Sequence, residues 1–137
     1  VLDVPERSLN TLTFGKESLL SLGLARELGL DPVLLTVLDP DLEVDYRGER
    51  IRSFTNKHLR VLAGELEKKF EVKVHFVENG LGNLRCNVNW NLDDTDLGSA
   101  NVITEFMFLS LPLVYNFSCR YILFGNEYSC DSFYVNK

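Results

Sequence analysis

Hydrophobic positions along the chain fall into short runs between polar breaks, and the period changes from run to run. Leu9 to Thr13 has the length and composition of a buried strand and breaks at Gly15. Glu17 to Leu28 follows, with Leu19, Leu20, Leu22, Leu24 and Leu28 including i, i+4 spacings. This predicts a helix that stops at Gly29. Asp31-Pro32 reads as a turn. Val33-Leu-Leu-Thr-Val-Leu38 is a continuous apolar run of strand length, as expected of a central parallel strand, and Asp39-Pro40-Asp41 ends it. Residues 41–54 are rich in charge and read as irregular or weakly structured. Asn56 to Phe70 carries Leu59, Leu62, Leu66 and Phe70 at helical spacing, with Thr55 as a candidate N-cap. Val72 to Val77 alternates as a strand. Glu78 to Asp96 is a long polar insertion holding seven Gly or Asn residues and Trp90; long loops in compact domains are functional or mobile. A third helix is expected over 100–117, bent at Pro112, and Tyr121 to Phe124 is a fourth short strand ended by Gly125-Asn126-Glu127.

The order β-α-β-α-β-loop-α-β predicts an α/β fold, a three-layer sandwich around a parallel sheet of about four or five strands. Right-handed crossovers leave few topologies, and ligands in such sheets bind beyond the carboxyl ends of the strands, where the strand order reverses. The turns after the first, second and fourth strands are therefore expected to share a site.

Composition narrows the classes. The 137 residues suit one domain, an α/β unit that reads as part of a longer chain. With 45% hydrophobic and 25% charged residues the chain is not of disordered type. A net charge of −6 and a pI near 4.9 disfavour a general nucleic-acid or membrane-surface binder. The apolar stretch 102–124 holds Glu105, Pro112, Asn116 and Arg120, too polar for a membrane span, and reads as a buried helix and strand. Three cysteines without a CxxC pair point to a reducing, cytoplasmic setting. The opening Val1-Leu-Asp-Val-Pro5 lacks the cationic start of a signal peptide.

The chemistry concentrates at the first break. Thr13-Phe14-Gly15-Lys16-Glu17-Ser18 sets a cation, an acid and a hydroxyl where a helix begins, and the unpaired amides of a helix start suit an anion, phosphate above all. It is not a Walker loop: position 10 is Asn and position 17 is Glu, where that motif needs Gly and Ser/Thr. Read alone, the segment favours a tight strand-to-helix turn with a solvated Lys16 and with Glu17 at the positive end of the helix dipole. The run Gly125-Asn126-Glu127-Tyr128-Ser129-Cys130-Asp131 is either a strand-ending turn or a second contact region, in which Asn126 and Glu127 orient substrate. Arg47, Arg50, Arg52, Lys57, His58 and Arg60 form either a solvated basic face or a clamp for a carboxylate or phosphate, with Arg50 the residue to test. His75 reads as a surface or packing residue. Asp93, Asp94 and Asp96 lack EF-hand spacing.

The Thr13-to-Ser18 segment resembles a variant of the Ser-Gly-Gly-x-Asp-Ser loop of PP-loop ATP pyrophosphatases, in the adenine nucleotide alpha hydrolase-like (HUP) group of Rossmann-like folds. Asn101, Phe108-Leu-Ser-Leu111 and Tyr121-Ile-Leu-Phe-Gly125-Asn126-Glu-Tyr-Ser129 are similar to the third helix and fourth strand of the 7-cyano-7-deazaguanine synthase branch, so the resemblance spans roughly residues 8 to 130. It implies an enzyme that binds ATP with Mg²⁺, adenylates an acceptor and releases pyrophosphate. It implies Thr13, Gly15, Lys16, Ser18, Val37, Gly125 and Asn126 around the nucleotide, with Lys16 and Glu17 in catalytic positions. Glu17 would hold the metal, and Asn126, Glu127 and Arg50 would face a small-molecule acceptor. It leaves room for a homodimer, and for a non-catalytic nucleotide-binding domain on the same fold. Three departures stand out: Phe14 replaces a glycine, Glu17 is one methylene longer than Asp, and Thr13 stands for Ser. The cysteine cluster that holds zinc in that branch has only Cys130 as a counterpart, so zinc does not carry over.

Overall fold

A computed structural model describes residues 6–39, 43–46, 49–52, 55–80 and 102–125. Its elements are β1 (Arg7–Thr11), α1 (Lys16–Glu27), β2 (Asp31–Leu38), β3 (Glu43–Tyr46), β4 (Glu49–Arg52), α2 (Thr55–Phe70), β5 (Val74–Glu78), α3 (Val102–Asn116) and β6 (Tyr121–Leu123). Four of the strands form one all-parallel sheet in the order β5-β2-β1-β6. The chain lays β2 and then β5 on one side of β1, and crosses back through α3 to set β6 on the other. The order thus reverses between β1 and β6.

Side-chain alternation divides the sheet into two faces. Leu34 joins Leu12, Leu22 of α1, Ala63 of α2 and Val74 in one buried cluster. Its neighbours Leu35 and Val37 point the other way and pack with Leu9, Ile122 and the α3 residues Phe106, Leu109, Leu113 and Val114. β2 is buried from Val33 to Leu38, as a continuous apolar run in a central parallel strand requires.

The leucine stripe of α1 does not face the core. Ser18, Leu22 and Ala25 are its buried residues, whereas Leu19, Leu20, Leu24 and Leu28 are exposed. Small residues at 18 and 25 let the helix backbone approach the sheet, which rotates the bulkier side chains outward. Gly29, at φ 72, ends the helix in the left-handed conformation, with its N–H on the Arg26 carbonyl and the Leu30 N–H on the Ala25 carbonyl. Thr55 is the first residue of α2 and not its cap. α3 runs unbroken through Pro112, whose missing N–H falls on an exposed position next to solvent.

Two expectations are corrected. Residues 41–54 are not irregular throughout: β3 and β4 pair antiparallel, with acidic Glu43 and Asp45 in register with basic Arg52 and Arg50. Charge alternation, with Val44 opposite Ile51, is the period-two signal there, and few apolar residues carry it. Asp31-Pro32 is not a turn but the start of β2, where a proline without an N–H is tolerated at the strand's first residues. Asp31 is held there by Arg7, whose Nε lies 2.6 Å from Oδ2. Arg7 also donates to the Phe117 carbonyl at 3.0 Å, so this cation ties the amino ends of the strands together.

Candidate functional site

The turn after β1 is built from short-range hydrogen bonds. Leu12 prolongs the sheet, its N–H donating to the Leu35 carbonyl at 2.7 Å while its own carbonyl accepts the Thr36 hydroxyl at 2.9 Å. Beyond it the buried Ser18 hydroxyl organises the loop. It accepts from the Thr13 N–H and the Thr13 hydroxyl, both at 3.3 Å, and donates to the Gly15 carbonyl at 3.0 Å. The same Gly15 carbonyl accepts the Leu19 N–H and opens the helix. No side chain caps that end, so the first amides of α1 have no intrahelical acceptor.

Phe14 carries the strain of the turn. Its φ is 61, in the left-handed region that glycine occupies freely and bulky residues avoid. Its side chain packs against the Leu12–Leu22–Leu34 cluster, which draws the ring toward the core. Gly15, in contrast, has an ordinary extended backbone at φ −76. The position that demands glycine is therefore the one that holds phenylalanine.

Charges line the mouth. Lys16 Nζ lies 3.2 Å from Glu17 Oε1, with the lysine side chain 87% and the glutamate side chain 23% exposed. The lysine is free to swing to a ligand, while the carboxylate is held against the turn. Gly125, two residues beyond β6, closes the opposite side. A Cβ there would lie 2.5 Å from the Glu17 carbonyl carbon and 2.6 Å from the Ser18 nitrogen, closer than any real side chain allows. The ends of β1 and β6 thus meet at the first turn of α1, where the strand order reverses.

The remaining expected residues are placed as follows. Thr13, Gly15, Lys16, Glu17, Ser18 and Gly125 come together. Val37 lies near the carboxyl end of β2 with its side chain in the core, so it can offer a ligand only backbone. Arg50 is on β4, in the two-stranded ribbon. Asn126, Glu127, Cys130, Asn101, Arg47 and the 81–100 part of the polar insertion lie outside the described residues. His75 is a half-buried packing residue whose ring lies 4.7 Å from that of Phe117. Among the described residues no three His, Cys, Asp or Glu gather as metal ligands. Magnesium needs no such group, since it binds through one or two carboxylates together with water and substrate phosphates.

Sequence reading missed a polar cluster beside this edge. The Asn79 amide donates to Asp39 Oδ1 at 2.7 Å, and Asn56 Nδ2 donates to the Asp39 carbonyl at 2.6 Å. Asp39 and Asn79 are the residues just past β2 and β5, and the Asn79 N–H extends the sheet to the Leu38 carbonyl. The strand-ending Asp39-Pro40 and Asn79-Gly80 pairs are the signal that marks them.

Fold and site together define an α/β protein with an all-parallel sheet and an open helix start at its topological switch point. No protein-family model matches the chain, and no curated protein matches it. No helix among the described residues is long and apolar enough to cross a membrane.

Proposed function

We propose that the chain is a nucleotide-binding domain of PP-loop type, a three-layer HUP-like sandwich. In this reading it serves an AMP-forming enzyme that adenylates a small-molecule acceptor and releases pyrophosphate. The observation that carries the reading is the approach of Gly125 to Glu17 and Ser18, because it joins two turns from opposite ends of the sequence into one open helix start. Phe14 at φ 61 adds to it: the backbone keeps a glycine-type conformation where PP-loop sequences have glycine.

The chemistry follows from the donors. The α1 amides and the Lys16 ammonium would hold phosphate oxygens, and Glu17 would share a magnesium ion with them. Magnesium when bound neutralises phosphate charge. The turn holds the donors in place, and phosphoryl chemistry needs positioning and charge neutralisation more than covalent help. The Ser18 hydroxyl, engaged three ways within the turn, acts on its shape. Binding of ATP with Mg²⁺ to the full chain, measured by calorimetry, tests the reading. Saturable binding lost in Lys16→Ala supports it, and its absence up to millimolar nucleotide defeats it. The Lys16–Glu17 ion pair at the mouth favours a second reading, a nucleotide-binding domain without catalysis. Pyrophosphate release in the presence of acceptors separates the two.

A further inference from the structure

A second concavity lies between α1 and α2, lined by Leu19, Leu22, Gly23, Leu66, Phe70 and Val72, with Arg26 at its rim. Its volume is about 250 Å³ and its walls are almost wholly apolar. A cavity of about 150 Å³ already accepts benzene, so this one has room for a ring with a short tail.

Two independent features indicate that the groove is kept open. Gly23 sits in the interior of α1, where glycine is less favourable than alanine, yet a Cβ there would meet nothing within 4 Å. Neither packing nor backbone conformation demands glycine, and Gly23 is itself part of the groove lining. The second feature is charge. The Arg26 guanidinium lies 5.4 Å from the centroid of the Phe70 ring and the Lys69 ammonium 5.5 Å from it. Among the described residues neither cation pairs with a carboxylate. In a chain of net charge −6, Arg26 in the groove lining and Lys69 against the ring of Phe70, neither of them ion-paired among these residues, favour an anionic head on an apolar body.

We propose that the α1–α2 groove binds a small organic carboxylate with an aromatic or branched aliphatic body. The body rests on Leu19, Leu22, Leu66 and Val72, and the carboxylate meets the Arg26 guanidinium, whose planar fork suits it. This site is separate from the Gly15 turn and does not depend on the nucleotide reading.

The test titrates the full ¹⁵N-labelled chain with 4-phenylbutyrate and with its neutral counterpart 4-phenylbutan-1-ol, following amide shifts. Saturable shifts at Leu19, Gly23 and Phe70 are expected, with the alcohol and the Arg26→Gln variant each binding at least about tenfold more weakly. Gly23→Leu is expected to abolish binding without lowering the melting temperature. Arg26→Gln, at an exposed position, keeps the test decisive if the leucine variant misfolds. No saturation up to about 10 mM, or equal binding of acid and alcohol, overturns the proposal. So does binding undiminished in Gly23→Leu. Self-association in sedimentation that requires Gly23, without carboxylate binding, also overturns it and assigns the groove to a second copy of the chain.

Discussion

Gly125 and Gly23 are the same residue kept for opposite reasons. At Gly125 a side chain has no room, because the backbone of α1 stands 2.5 Å from where a Cβ would lie. At Gly23 there is nothing within 4 Å. One glycine marks a contact between distant parts of the chain, and the other marks a space left unfilled. The edge around Gly125 is polar, hydrogen-bonded and strained, as sites for charged ligands are. The groove around Gly23 is apolar, with charge from Arg26, and its wall holds a left-handed residue of its own, Glu71 at φ 52 between Phe70 and Val72. A glycine in a sequence thus says little until its neighbours are known.

Substitution at each position is the most direct way to break the comparison. Gly125→Ala forces the α1 start and the β6 end apart, and is expected to destabilise by about 1–3 kcal/mol, read from the urea midpoint. A neutral result would mean that the two turns do not form one unit. Ser18→Ala removes the hydroxyl that ties Thr13 to Gly15, for an expected loss of about 1–2 kcal/mol and weaker nucleotide binding. At Phe14 the order of variants is the diagnostic. Glycine there should exceed alanine in stability by about 1 kcal/mol, the reverse of the usual ranking, because φ 61 is strained for any residue with a Cβ. Gly23→Ala, in contrast, should stabilise by about 0.5–1 kcal/mol in thermal or urea unfolding.

The smallest effect is one of pH, and it should leave the two regions alike. Burial first, and the nearby Lys73 second, hold the His75 imidazole below its usual value of 6.5, with Glu67 opposing them. The unfolded chain therefore takes up this proton before the folded one does. His75's contribution is complete above pH 6.5 and declines as pH falls through that value, levelling once the folded imidazole is also protonated. Unfolding curves at several pH values should show this small decline in the parent chain and in both glycine variants, and lose it in His75→Gln.

Much of the architecture was legible because β2 from Val33 to Leu38 is apolar but for Thr36, and because Gly29 and Gly125 lie within two residues of the ends of α1 and β6. Hydrophobic period gave the helices but not the face of α1. There Ser18 and Ala25 turn inward for want of bulk, which a count of leucines cannot express. The β3–β4 ribbon escaped because few apolar residues, Val44, Tyr46 and Ile51, carry its alternation with charged ones. For the site, local chemistry singled out Thr13 to Ser18, a segment whose members hydrogen-bond to one another in the fold. The strain at Phe14 and the tightness at Gly125 are long-range or conformational facts with no local signature. The Asp39–Asn79 contact joins positions 40 residues apart and is invisible for the same reason.

The pairing of β1 with β6, Ser8 beside Tyr121, has a kinetic consequence. Contacts between residues so far apart in sequence form late, after the intervening chain has collapsed and its loop has closed. The helix start after β1 can take shape early from its own hydrogen bonds, but its Gly125 wall arrives only with β6. A ligand that needs both halves would bind only chains that have completed this step. By mass action it would hold them there, so that occupancy of the turn reports on completed folding.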